Sequence, residues 1–269
     1  MPARQELTDF VADVLMQVEG ARNKPYELIT KGTGNSGFTI GRAQNDARTN
    51  DDAFETLKTM LGQPKLLGGT DDVAFKSRVL EKARMSALEY AKDKDPLTAD
   101  EIRRVNSLLN HPDNRSLIDQ LDRTQFGKVA DEVERLIDDA QGWPQGPGAF
   151  DRDNPDPESL ALAAAWANRT GGLAEMRTTL GSYPTLPWTP ENVRLYVSQQ
   201  RQFRSPLEDR GNGENFGNWF GQVGNAAQAS TTGLGWPMNA PPAPGAFGDP
   251  RSSPSGPDAP LAPLRPRWP

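Results

Sequence analysis

Gln17 to Asn50 reads QVEGARNKPYELITKGTGNSGFTIGRAQNDARTN, and it joins two segments of clear helical periodicity. Ahead of it, Phe10, Val11, Val14, Leu15 and Val18 recur every three or four residues, the apolar stripe of a surface helix, with Thr8 as its expected cap. Behind it, NDDAFETLKTMLG opens in acids and closes on Gly62, as a helix does when side-chain charge opposes the backbone dipole. Between the two lies a turn-rich segment with the β-prone piece GFTIG at its centre. Glu19 is four residues past Leu15 and eight past Val11, on their stripe. A carboxyl group there is partly desolvated, which favours its protonated form near neutrality. A glycosidase needs such an acid to protonate the leaving oxygen. As the last residue before Gly20, Glu19 could instead bend out to water at the helix end, the simpler reading of the spacing taken alone.

The glycine-rich run that follows lets backbone approach a ligand, with Ser36, Thr39, Gln44 and Asp46 close by. An inverting hydrolase needs a second carboxylate with room for a water between the two. Asp46, Asp51 and Asp52 are at hand; the last two are accounted for by the charge preference of a helix N-terminus, and Asp46 has no such duty.

These residues resemble the lysozyme superfamily. A helix ending in Glu, then a glycine-rich segment reading Gly-Phe-x-x-Gly-x-x-Gln-x-Asp over 37–46, is similar to goose-type lysozymes and lytic transglycosylases. The resemblance implies Glu19 as general acid, Gln44 as a cleft-lining glutamine and Asp46 as the aspartate that holds the nucleophilic water. Thr39 to Gly41 is also similar to the Thr-Ile-Gly segment of phage-type lysozymes, which implies Thr39 as an active-site threonine. Two departures stand beside this: no aspartate precedes Thr39, and the interval from Glu19 to Asp46 is longer than the goose-type one. The resemblance further implies that Tyr26, Ser36 and Phe38 line the substrate site. LALAAAWANRTGG is similar to the helix and turn that back the cleft, which would turn Asn168 toward the sugar. Tyr183 reads as a stacking residue or a core residue, and Trp166 as core. Chitosanases share a helix-end Glu and a related threonine segment, but also use an aspartate that this chain lacks.

The remaining pattern is helical. One long helix is expected over about 70–92, and a helix capped by the Thr98/Glu101 box follows it. SLIDQLDRTQFGKVADEVERLIDDAQGW reads as a short helix and a long one, the second capped by Thr124. An apolar helix stops at Gly171, and a further one has Thr189 as cap and Pro190 at its first position. Past about 204 the periodicity ends. The expected organisation is a lysozyme-like α+β catalytic domain over 1–204, mainly α, a helical bundle with a small β-hairpin beside its cleft. A Gly/Asn/aromatic linker over 205–236 and a disordered, proline-rich tail over 237–269 complete it.

Composition narrows the chemistry. The 269 residues include no cysteine and one histidine, His111, so thiolate metal sites and multi-histidine sites are excluded, and no cofactor or metal is expected. His111, in NHPDN, reads as an exposed or capping residue, and the acid-rich KDKDPLTADE as a turn into a capped helix rather than a calcium loop. A net charge of −6 argues against a nucleic-acid partner. No window approaches the run of about 18 apolar residues that spans a membrane, and no secretory signal is visible. The expected partner is the peptidoglycan glycan strand, cut between N-acetylmuramic acid and N-acetylglucosamine. A cytoplasmic product without a signal would reach the periplasmic wall by phage, lysis or a secretion system, with a virion, secretion-system or immunity protein as further partner. The alternatives are a lytic transglycosylase on the same substrate, or a non-catalytic lysozyme-like interaction protein.

Overall fold

The computed structural model describes residues 4–18, 24–30, 36–63, 73–183, 187–199 and 221–230. Among them the chain is mainly helical, with one small two-stranded antiparallel sheet. The helices are α1 (Arg4–Val18), α2 (Asp51–Leu61), α3 (Val73–Ala83), α4 (Ala87–Ala91), α5 (Ala99–Leu109), α6 (Pro112–Ala140), α7 (Pro157–Thr170), α8 (Ala174–Gly181) and α9 (Pro190–Gln199), followed by α10 (221–230). Strands β1 (Thr39–Ile40) and β2 (Asn45–Asp46) form the hairpin between α1 and α2.

Two apolar cores share α6. The first gathers α1, the C-terminal part of α6 from Phe126, and α7 to α10. The second gathers the hairpin, α2, α3, α5 and the N-terminal part of α6 through Leu121. A 29-residue helix is about 44 Å long at 1.5 Å per residue, long enough to serve both. Helix α7 is buried from Ser159 to Ala167 without a solvent face, which its run of alanines and leucines predicts. Trp166 lies in this first core, as the pattern requires.

Several local expectations meet the structure directly. Thr98 and Glu101 form the reciprocal capping box of α5. Asp93 accepts from the Asp95 amide at 3.0 Å in the turn ahead of it. Gly62 ends α2, and Gly171, at φ 86°, ends α7. The Thr189 hydroxyl accepts from the Asn192 amide at 3.3 Å, with Pro190 opening α9. The His111 ring caps α6 by accepting from the Asp113 amide.

Four expectations are corrected. Helix α1 begins at Arg4, so Thr8 lies inside it and its hydroxyl donates back to the Arg4 carbonyl at 2.9 Å. The helix expected over 70–92 is broken at 84–86, where Ser86 and Glu89 form a second capping box that starts α4. Residues 112–140 form one helix, not two: the Thr124 hydroxyl donates to the Gln120 carbonyl at 3.0 Å and caps nothing. Within the expected linker, 221–230 is helical, with Val223, Ala226 and Ala227 buried in the first core. Its spacing is helical, but two of its three contact residues are alanines, which carry little hydropathy signal. The tail over 237–269 lies outside the described residues. Among the described residues no helix is long and apolar enough to cross a membrane.

Candidate functional site

The segments 26–30 and 36–50 are built onto α5 and α6 by side chains that satisfy their backbone. Asn106 accepts from the Leu28 amide at 2.8 Å, and the Asn110 amide group donates to the Tyr26 carbonyl at 3.0 Å. Ile29 then exchanges both backbone hydrogen bonds with Thr39, each 3.0 Å long. Because Thr39 spends its backbone groups on Ile29, its pairing with Asp46 on the other side is of the non-hydrogen-bonded kind. That is the arrangement in which facing side chains approach most closely and share one face of the sheet.

Thr39 is 4% exposed, and its hydroxyl is buried without a hydrogen-bond partner among the described residues. Beside it, the Asp46 carboxylate staples the loop. Its Oδ1 accepts from the Gly37 amide at 3.0 Å and the Arg48 amide at 2.8 Å, and its Oδ2 accepts from the same Gly37 amide at 3.1 Å. Gly37 fits where no other residue does, since a Cβ there would lie 2.6 Å from Arg48 Cβ and 2.9 Å from Asp46 Oδ1. The Ser36 carbonyl accepts from the Ala87 amide at 2.6 Å, joining this loop to the start of α4. Phe38 is buried in the second core, edge-on to Tyr90 at 4.9 Å, and offers no open face.

The turn between the strands, Gly41 to Gln44, rests on a residue that the sequence reading passed over. Asp122 of α6 is 1% exposed. Its carboxylate accepts from the Arg42 amide at 2.8 Å, the Ala43 amide at 3.1 Å and the Asn45 side chain at 2.9 Å. Burial pushes this carboxyl above its ordinary value, and the donated hydrogen bonds and the Arg42 charge pull the other way without cancelling it. Gly41, at φ 82°, is required: a Cβ would lie 2.3 Å from Asp122 Oδ1. Gln44 has φ 50°, and among the described residues it is the one non-glycine residue with positive φ.

Neighbouring side chains hold the same turn. Arg42 donates to Asp119 at 2.9 Å and to the Tyr26 hydroxyl at 3.4 Å, and Tyr26 donates to Asp119 at 2.9 Å. Burial and the bond to Asp119 both raise the Tyr26 pKa, so the phenol keeps its proton. From the first core, Asn168 at the end of α7 donates to the Ala43 carbonyl at 3.3 Å and accepts from Gln125 at 3.1 Å. Ala43 itself belongs to that first core, so the turn touches both apolar bodies.

The structure thus brings Tyr26, Thr39, Gln44, Asp46 and Asn168 into or directly against one loop assembly. Ser36 joins it through its carbonyl, and Phe38 underlies it. Tyr183 stands apart, half-buried against the first core with its ring 6.2 Å from Trp188. Glu19 lies outside the described residues; α1 is described to Val18, with Leu7, Val11, Val14, Leu15 and Val18 buried. Asp51 and Asp52 sit in the first turn of α2, which Asn50 caps, as helix-terminal charge predicts. Asp122, Asp119, Arg42 and Asn45 were missed by the sequence reading. The signal for Asp122 was available: it falls four residues after Ile118 and four before Phe126, on an apolar stripe. Among the described residues no group of three or more His, Asp or Glu side chains is placed to hold a metal ion. Chemically, the assembly sets a buried hydroxyl beside a carboxylate on one face of a fixed turn. Compared with known proteins, the chain matches no family model, no curated protein and no solved structure.

Proposed function

We propose that the chain is a lysozyme-like glycoside hydrolase that degrades peptidoglycan at the β-1,4 bond between N-acetylmuramic acid and N-acetylglucosamine. The observation that carries the reading is the direct pairing of Thr39 with Asp46, with the Thr39 hydroxyl buried and unpartnered among the described residues. Thr39 is one of seven residues with such a buried side-chain atom among the described residues, and it is the one paired across the hairpin with a carboxylate. An unpartnered buried polar group costs about 1–3 kcal/mol, which a bound water or ligand recovers. In this mechanism Glu19 protonates the glycosidic oxygen as the bond to the anomeric carbon breaks. Asp46 Oδ2, which among the described residues takes only the Gly37 amide, accepts a proton from the attacking water, and Thr39 orders that water. Tyr26, Ser36, Gln44, Asn168 and Tyr183 are the proposed sugar-contacting residues. The enzyme would act on the cell wall after delivery by phage, lysis or a secretion system.

The test is clearing of purified cell walls with analysis of the released sugars by mass spectrometry. Glu19→Gln is expected to lower the rate by about 10²–10⁴-fold with the fold intact. Full activity in Glu19→Gln removes the assignment. One observation favours lytic transglycosylation as second reading: Asp46 is already engaged by two backbone amides, and a reaction in which the sugar's own hydroxyl attacks needs no second carboxylate. Anhydro-sugar products, with activity retained in Asp46→Asn, would select it; reducing ends select hydrolysis.

A further inference from the structure

The turn 41–45 is costly in two ways that a simple connection between strands would avoid. Gln44 holds a left-handed backbone that glycine adopts freely and that costs other residues about 1–2 kcal/mol. Asp122 places a carboxylate in the interior where an apolar residue would continue the stripe from Ile118 to Phe126. The two meet in one device. Asp122 binds the amides of Arg42 and Ala43 and the Asn45 side chain, so both residues that precede Gln44 and the one that follows are fixed to α6. Asp119, one turn earlier on the same helix, holds the Arg42 side chain, and Asn168 holds the Ala43 carbonyl. A backbone strained at one residue and clamped on every side belongs to a site that must be ready before its ligand arrives.

We propose that Asp122 is a positioning residue: through the backbone of 42–45 it keeps Gln44 in the left-handed conformation that serves glycan binding. The ligand class is that of the proposed function, since a glutamine amide can both donate to and accept from sugar hydroxyls and N-acetyl groups. This rests on the carbohydrate reading of the site but not on its bond-breaking chemistry.

The experiment titrates a purified tetrasaccharide of alternating N-acetylglucosamine and N-acetylmuramic acid into the full chain, well below the unfolding midpoint, with thermal stability measured alongside. Gln44→Gly is expected to raise Tm, because it relieves the backbone, and to weaken Kd about tenfold. Asp122→Asn is expected to weaken Kd by a similar factor among folded molecules and to speed hydrogen exchange at the Arg42 and Ala43 amides. A structural role alone would change Tm and leave Kd where it is, so an unchanged Kd in Gln44→Gly overturns the proposal. If Asp122→Asn fails to fold, Asp122→Glu takes its place, and an unchanged Kd in the folded Asp122 variant overturns the proposal, because Gln44→Gly tests the Gln44 side chain alone. Absence of tetrasaccharide binding by the wild-type chain also overturns it, whatever the cleavage assay gives. Binding without cleavage leaves the proposal standing and removes the glycosidase reading instead.

Discussion

Glu19 and Asp122 pose one question at the residue scale, since both are acids four positions beyond an aliphatic residue on a helical stripe. For Asp122 the answer is visible: the carboxylate replaces the strand partners that a tight turn cannot find within itself. Asp122→Ala would leave the part-buried Arg42 amide, the buried Ala43 amide and the Asn45 side chain without their acceptor, and should destabilise the chain by about 2–4 kcal/mol in denaturant unfolding. The pH dependence has a definite sign. The folded carboxyl sits above its ordinary value of 3.8, so the native state holds the proton more tightly than the unfolded chain. Its contribution to stability is fully present below the unfolded value and is lost as pH rises through the folded one. Thermal melts of wild type against Asp122→Asn should show the wild type's relative stability falling as pH is raised from that acid range, and a pH-independent difference would contradict this. The sequence showed Asp122 as plainly as Glu19. What it could not show was the partner, because the turn lies about 80 residues away in the chain and only the fold brings them together.

Among elements, α6 and the α3–α4 break explain where periodicity is trustworthy. The stripe Ile118, Asp122, Phe126, Val129, Ala130, Val133 keeps its phase through Thr124, so no second helix starts there. A threonine is a cap only when the backbone before it leaves the helix, and here its hydroxyl returns to the carbonyl four residues earlier. At Ser86 the pattern Ser-x-x-Glu is the same box that identified the start of α5, but an apolar run across the junction masked it. Ser86→Ala should therefore cost about 1 kcal/mol, read as a fall in the denaturation midpoint, whereas Thr124→Ala should cost little. Gly127 lies inside α6, and beyond the neighbouring helix backbone no atom of the described residues comes within 4 Å of the place a Cβ would occupy. Gly127→Ala is expected to stabilise the chain by about 0.8–1 kcal/mol, measured as a rise in Tm.

For the whole molecule, one helix is common property of two cores, and that sets how the chain should unfold. The three described tryptophans that pack in an interior, Trp143, Trp166 and Trp188, all belong to or pack on the first core. Leu57 is buried in the second. Leu57→Ala should cost about 2–5 kcal/mol, and because α6 crosses between the cores, tryptophan fluorescence and far-ultraviolet ellipticity should shift together. Separate transitions would mean that α6 does not couple the two. The mainly helical class, the hairpin after α1 and most helix ends were legible because they follow from spacing and caps, which are local. The assembly around the turn was legible only in part: Thr39, Gln44 and Asp46 lie within eight residues, whereas Arg42–Asp119 and Ala43–Asn168 are long-range pairs that no local pattern encodes.

The fit of Gly41 against Asp122 also says how this protein can change over generations. A methyl group at 41 would meet the carboxylate at 2.3 Å, and removing the carboxylate would strand the turn it binds. Neither position can drift alone, so natural variants should keep or exchange the two together. That paired pattern, a turn glycine and an acid on a distant helix, is a marker by which divergent relatives of this chain can be told from unrelated helical proteins.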